Sequence, residues 1–248
     1  MSISTEPVTV STAVVPVAWE FPDDTAPWNA YLYVGSMPIP QRFDDRTDAG
    51  ERLGEALRDR DLDADIVLAI PRGGLPVGRA VADALGVPLD IVVASKIGAP
   101  GNPEYAIGAV AADGAVWRND RAFERGGVDE EYFQRERERE AEKARQKAER
   151  YRGGRSEPDL SGKTVAVVDD GIATGSTVRA CLAMLAATDA ERIVLAVPVG
   201  PPETIAELRD AVDDVVCLRT PSSFGGVGRF YDRFDQVSDA DAMSYLKT

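Results

Sequence analysis

The 248-residue chain contains no histidine. That absence excludes Ser-His-Asp and Cys-His nucleophilic centres, HExxH metal sites and every imidazole acid or base. Any chemistry must come from carboxylates, Lys, Arg, backbone amides or a metal that arrives with its substrate. Cysteine is nearly as scarce: Cys181 and Cys217 lie inside apolar patterns and no CxxC occurs. Both are expected to be reduced core residues. Lysine is also rare, with Lys96, Lys143, Lys147, Lys163 and Lys247 the five among 28 basic residues. No apolar run approaches the roughly 18 residues that span a bilayer, and the first basic residue is Arg42, too late for the positive start of a secretory signal. A soluble, cytoplasmic protein is expected. A net charge of −14 would repel nucleic acid and anionic membrane. Acid-rich, Lys-poor composition suits a protein kept soluble at high salt, so a halophilic setting is expected.

Residues 1–41 carry no basic residue and are rich in Pro, Ser and Thr. They read as an N-terminal extension without a motif: a mobile segment, a dimer arm or the product of an early start codon. Residues 42–248 read as the folded domain. Leu53, Ala56 and Leu57 fall at helical spacing, with Asp44 and Asp45 upstream as caps. DIVLAI (65–70) has the short continuous apolar run of a strand buried in a parallel sheet. A helix (75–85), a strand DIVVAS (90–95), a Gly/Pro-rich loop (96–105) and a hairpin about Asp113-Gly114 follow.

Residues 130–152 form a highly charged helix whose packing face carries Arg137, Ala141, Ala144, Ala148 and Tyr151. Glu140 with Lys143 and Glu142 with Arg145 support it at i,i+3. Acids nearly balance its bases, which favours a solvated helix over a nucleic-acid surface. Then TVAVVDD, a helix from about Thr177 to Ala187, RIVLAVPV (192–199), a helix near 202–211 and DVVCLR (214–219) alternate. The pattern predicts an α/β fold with a doubly wound, mostly parallel sheet.

In such sheets ligands bind beyond the carboxyl ends of the strands. PRGG (71–74), SKIGAPGNPE (95–104) and DDGIATGST (169–177) are the three unusual loops at those ends. The last joins a strand to a helix, so its amides and the helix dipole make a phosphate seat with Thr174, Ser176 and Thr177 as hydroxyl donors. Gly171 and Gly175 allow a tight turn against the ligand. Neither a Walker A loop nor GxGxxG is present. Asp169 and Asp170 then need a partner other than phosphate. Vicinal sugar hydroxyls suit them, and a divalent ion would relieve the repulsion. A ribose 5-phosphate group meets both needs; the alternative is a strand end whose acids cap the next helix.

VVDDGIATGST (167–177) resembles the phosphoribosyl pyrophosphate (PRPP) signature of type I phosphoribosyltransferases. The resemblance implies that Asp169 and Asp170 hold the ribose hydroxyls and that residues 173–177, from Ala173 to Thr177, bind the 5-phosphate. AIPRGGLPVGRAVADALG (69–86) is similar to the pyrophosphate loop and following helix of xanthine-guanine phosphoribosyltransferases, which implies that Arg72 and the amides of Gly73 and Gly74 grip the diphosphate. Lys96 falls where the family often has a basic residue on the pyrophosphate. The GAPGNPEY stretch resembles its mobile flap, with Glu104 and Tyr105 as closure residues or, alternatively, solvated loop residues. Residues 220–239 are similar in type to a purine hood. Phe224 is the first choice for stacking on the base and Phe230 or Tyr231 the second, with core packing the alternative for each; the likeness makes Asp232 a candidate for a second metal contact.

The likeness spans roughly 42–248 and includes prokaryotic phosphoribosyltransferase-like proteins with the SKIGAPGNPE loop and long charged helix. It implies a domain with a flap, hairpin and helix insertion over 96–160 and a hood and C-terminal helix over 220–248. It also implies Mg2+ as cofactor, at Asp169 and Asp170 indirectly or through the ribose, and a homodimer. The expected reaction is displacement of pyrophosphate from PRPP by a nitrogen nucleophile, with a 6-oxopurine-like base, another nitrogen acceptor, or PRPP sensing without turnover as the competing outcomes. Neither nucleic acid nor membrane is expected as a partner.

Overall fold

A computed structural model of the chain describes residues 33–34, 37–38, 41–125 and 128–247. The expected 1–41 extension therefore lies outside the described residues, apart from Gln41 and two short paired strands, β1 (Tyr33–Val34) and β2 (Met37–Pro38). Helix α1 (Arg46–Arg58) starts at Asp45, whose carboxylate accepts from the amides of Thr47 at 2.9 Å and Asp48 at 3.1 Å. An acidic cap at the positive end of a helix is favourable. Next come β3 (Ile66–Ala69), α2 (Gly74–Leu85) and β4 (Leu89–Ile91). An insertion then supplies β5 (Ala94–Ala99), β6 (Asn102–Ala111), β7 (Val116–Arg118), α3 (Asp120–Arg125) and α4 (Glu130–Arg152). The alternation resumes with β8 (Thr164–Val168), α5 (Ser176–Leu185), β9 (Arg192–Val199), α6 (Pro202–Leu208) and β10 (Asp214–Arg219), and α7 (Asp239–Ser244) follows.

The main sheet has five parallel strands in the order β10-β9-β8-β3-β4. Counted along the chain among themselves, these strands lie in the 2-1-3-4-5 doubly wound order, so the topological switch point falls between β3 and β8. Ala69 and Val168 pair in register at the ends of those two strands. The loops that follow, PRGG and DDGIATGST, thus leave the sheet side by side.

Period-two alternation divides the strand residues between two cores. Val67, Ala69, Ala166, Val168, Val194 and Ala196 join α1, α2 and the inner side of α4; Ile66, Leu68, Val165, Val167, Leu195 and Val197 join α5 and α6. Leu53 and Leu57 of α1 are fully buried, each contributing roughly 1.5–3 kcal/mol. Gly50 and Gly54 let α1 approach α2: a Cβ on Gly50 would lie 2.6 Å from the Val77 carbonyl oxygen, and one on Gly54 2.5 Å from the Ala84 Cβ. That approach fixes the position of Arg46 on the first turn.

The structure corrects the expected strand over 90–95. The apolar run serves two sheets: β4 ends at Ile91, the Val92 amide still donates to Ala69 O at 3.1 Å, and Val93 O accepts from Ala112. From Ala94 the chain pairs antiparallel with β6. A run buried on both sides carries no mark where its hydrogen-bonding partner changes. The expected loop over 96–105 is likewise a hairpin of β5 and β6, with Gly101 at φ +73° in its turn. Lys96 consequently sits within β5, in register with Ala109, and not at the end of a parallel strand. The β6–β7 hairpin about Asp113-Gly114 and α4 over 130–152 agree with expectation.

Candidate functional site

Gly73 and Gly74 pack directly on the acidic pair. A Cβ on Gly73 would stand 2.1 Å from Asp170 Oδ2, and one on Gly74 2.9 Å from Val168 O and 3.1 Å from Asp169 Oδ1. The PRGG and DDGIATGST loops touch because both glycines lack side chains. Gly73 precedes α2 without a side-chain cap, while Arg72 reaches Asp239 of α7 at 3.5 Å.

Asp169 Oδ1 accepts from the Asp170 amide at 2.8 Å. Arg46 Nε donates to Asp170 Oδ2 at 2.8 Å, its Nη1 donates to Asp235 O at 2.8 Å, and its guanidinium carbon lies 3.8 Å from the Phe234 ring centroid. Burial pushes the Asp169 carboxyl well above its usual range, and the Asp170 charge pushes it further; the hydrogen bond from the Asp170 amide, then Lys147 and Arg46, oppose this only in part. Burial also raises Asp170, with the Arg46 hydrogen bond the main opposing influence. The pair is a reservoir of costly negative charge that hydrogen-bond donors or a cation would relieve.

The next residues form an open seat. Gly171 has φ +153° and contacts Val199 and Val227, so a side chain there would clash. The Ile172 amide donates to Val199 O at 2.9 Å, anchoring the loop on β9. Ala173 and Thr174 are exposed, Gly175 adopts φ +72° as the residue before α5, and α5 has no side-chain cap. Thr174 Oγ1 and Ser176 Oγ are 3.3 Å apart, and Thr177 is partly buried one residue on. Free amides at the start of a ten-residue helix beside two hydroxyls are suited to an anion.

Four residues at this edge were not singled out in the sequence: Arg46, Lys147, Phe234 and Asp239. Lys147 Nζ donates to Pro71 O at 2.9 Å. Burial and the nearby Arg72 lower its pKa, while Asp169 supports its charge. Asp239 accepts from Tyr151 Oη at 2.6 Å and Arg150 at 2.9 Å. The signal for Lys147 was its spacing, three residues after Ala144 and four before Tyr151 on the packing stripe of α4. Arg46 carried no such signal, since its partner lies 124 residues away.

In the hood, Phe224 is partly buried and stacks on Phe230 with centroids 5.5 Å apart at 22°. Phe230 is 9% exposed, and Arg219 lies over its ring. Tyr231 is 1% exposed, packed by Phe43 and Phe234, with its hydroxyl donating to Asp170 O at 2.5 Å. It fills the core alternative. Asp232 pairs with Arg42 at 2.7 Å on the exposed surface. Tyr105 is 45% exposed on β6. Glu104 lends its backbone to β6, and its side chain lies outside the described residues.

Among the described residues no group of three or more Cys, Asp or Glu side chains could hold a metal. Two adjacent carboxylates, one held by Arg46, fit a magnesium ion only if a substrate's phosphates and waters complete its shell, as is usual for that ion. No helix of the described residues is long and apolar enough to cross a membrane.

The fold and site define a doubly wound α/β domain with paired acids and an anion seat at its topological switch point. The profile of the phosphoribosyl transferase domain matches residues 45–234, and the chain belongs to that family. Two Mycobacterium tuberculosis proteins that carry a phosphoribosyl transferase name, from strains CDC 1551 / Oshkosh and H37Rv, are each 40% identical over 204 residues. The match covers 82% of this chain and 46% of theirs, so the chain spans about half the length of these curated relatives. The crystal structure of TT1426 from Thermus thermophilus is 42% identical, with a TM-score of 0.72 over 83% of this chain and 97% of that one.

Proposed function

We propose that the protein transfers 5-phosphoribose from PRPP to a nitrogen nucleophile, a 6-oxopurine-type base, and releases pyrophosphate. The observation that carries this reading is the fit of Gly73 against Asp170, which sets the diphosphate and ribose loops edge to edge. The ribose hydroxyls donate to Asp169 and Asp170, and the 5-phosphate accepts from the amides and hydroxyls of residues 173–177. Arg72 and the amides of Gly73 and Gly74 take the diphosphate. Mg2+ carried by PRPP supplies further neutralisation of the leaving group.

The bond from ribose carbon 1 to the diphosphate oxygen breaks, and its electron pair leaves with the diphosphate. The acceptor nitrogen lone pair forms the new bond, and the nitrogen's proton passes to solvent. Positive charge that develops on the ribose is tolerated by the adjacent carboxylates. Histidine is not needed at any step.

Lys96 is proposed as a further contact to the diphosphate, Glu104 and Tyr105 as closure residues, and Phe224 as the base platform. Asp232 is the proposed second metal contact, which requires it to leave Arg42. The proposal extends to a cytoplasmic, homodimeric salvage enzyme adapted to high salt; the charge of −14 supports the last point. Pyrophosphate release from PRPP and Mg2+ across a panel of bases, at high and low salt, tests the reaction. Release with a purine base is expected. Saturable PRPP binding without release for any base would make the protein a sensor instead.

A further inference from the structure

We infer that Lys147 is a positioning residue through which α4 holds the PRGG loop in its diphosphate-binding shape, an inference that rests on the function proposed above. Its α4 neighbours Arg145, Gln146, Glu149 and Arg150 are all exposed, whereas Lys147 is partly buried and turned to the sheet edge. Its Nζ lies 2.9 Å from the Pro71 carbonyl oxygen. Pro71 shares a peptide plane with Arg72, so this bond fixes the backbone from which Arg72, Gly73 and Gly74 follow.

The same helix restrains the Arg72 side chain by another route. Tyr151, one turn after Lys147, donates to Asp239 at 2.6 Å, and Asp239 reaches Arg72 at 3.5 Å. Backbone and side chain of the loop are therefore both tied to α4, which belongs to the insertion and not to the alternating strands and helices. Withdrawing an ammonium from water next to another cation is unfavourable without compensation. The Pro71 carbonyl and the Asp169 charge supply part of it, and a diphosphate beside Arg72 would supply the rest. Lys147 thus acts chiefly on the diphosphate half of the site, where its hydrogen bond lies; its link to the ribose half is the charge of Asp169 alone, and the 5-phosphate seat is anchored by α5 and β9.

Calorimetry on the full chain with Mg2+, using PRPP and ribose 5-phosphate as separate ligands, tests this. Lys147→Met is expected to weaken PRPP about tenfold and leave ribose 5-phosphate within about twofold, as loss of a charged hydrogen bond predicts. Lys147→Arg, which can still donate to Pro71 O, is expected to recover most of the PRPP affinity. Unchanged PRPP affinity in Lys147→Met would overturn the inference, and so would equal weakening of both ligands, the mark of general damage to the fold. If the wild-type protein bound neither ligand, the proposed function itself would fail before Lys147 was at issue.

Discussion

Arg46 and Asp170 form an ion pair at 2.8 Å, joining the first turn of α1 to the end of β8, with 12% and 14% of their side chains exposed. Removing one member of a buried pair leaves the other charge uncompensated, at a cost of about 3 kcal/mol. Arg46→Met is therefore expected to lower unfolding free energy by about that amount in denaturant titrations. The double variant Arg46→Met with Asp170→Asn should recover most of the loss. If the double variant were as unstable as the single one, packing of Arg46 on Phe234 would be the larger contribution.

A methyl group at residue 73 has no room, because its nearest neighbour would be Asp170 Oδ2 at 2.1 Å. Gly73→Ala should force the two loops apart, lowering PRPP affinity at least tenfold and stability by about 1–3 kcal/mol, the usual cost of overpacking. Calorimetric PRPP affinity equal to wild type would show that the close fit is not required.

The strand-helix alternation was legible because each strand is a short apolar run and each helix has apolar spacing. The paired loops were legible for a related reason: DDGIATGST and PRGG concentrate glycines, acids and hydroxyls at strand ends. What escaped was whatever depends on distant partners. Arg46 looks like any first-turn arginine until β8 places Asp170 beside it, and the spacing of Lys147 marks its face of α4 but not its partner, the Pro71 carbonyl. The change of sheet at Val92–Val93 was hidden because both halves of the run are buried. Tyr231 and Phe224 look alike in sequence, and only packing separates a core ring from a partly exposed one.

The raised Asp169 carboxyl makes a prediction about pH. In the unfolded chain an aspartate titrates near about 3.9; in the folded protein burial and Asp170 raise it well above that value. The folded state therefore binds more protons between the two values, so this group's contribution to stability falls as pH rises through that window and is level above it. Asp169→Asn keeps the oxygen that accepts from the Asp170 amide and removes the charge. Its unfolding temperature should exceed that of the wild type on the alkaline side of the window and converge with it below about pH 4. A difference independent of pH would mean that the Asp169 charge is not what burial penalises. The same variant should lose PRPP binding, because the ribose hydroxyls would lose a carboxylate acceptor.

Two hood rings should separate stability from acceptor recognition. Tyr231→Phe removes only the hydroxyl that donates to Asp170 O, so it should cost about 1 kcal/mol of stability and leave acceptor preference unchanged. Phe224 is partly buried, and its ring lies stacked at 22° to Phe230. If Phe224 is the platform for the base, Phe224→Ala should raise the acceptor KM about tenfold while PRPP affinity stays within about twofold, since stacking adds roughly 0.5–1.5 kcal/mol to the area buried. An acceptor KM unchanged by that variant, with stability lowered instead, would return Phe224 to the core alongside Phe230 and leave the base to another surface.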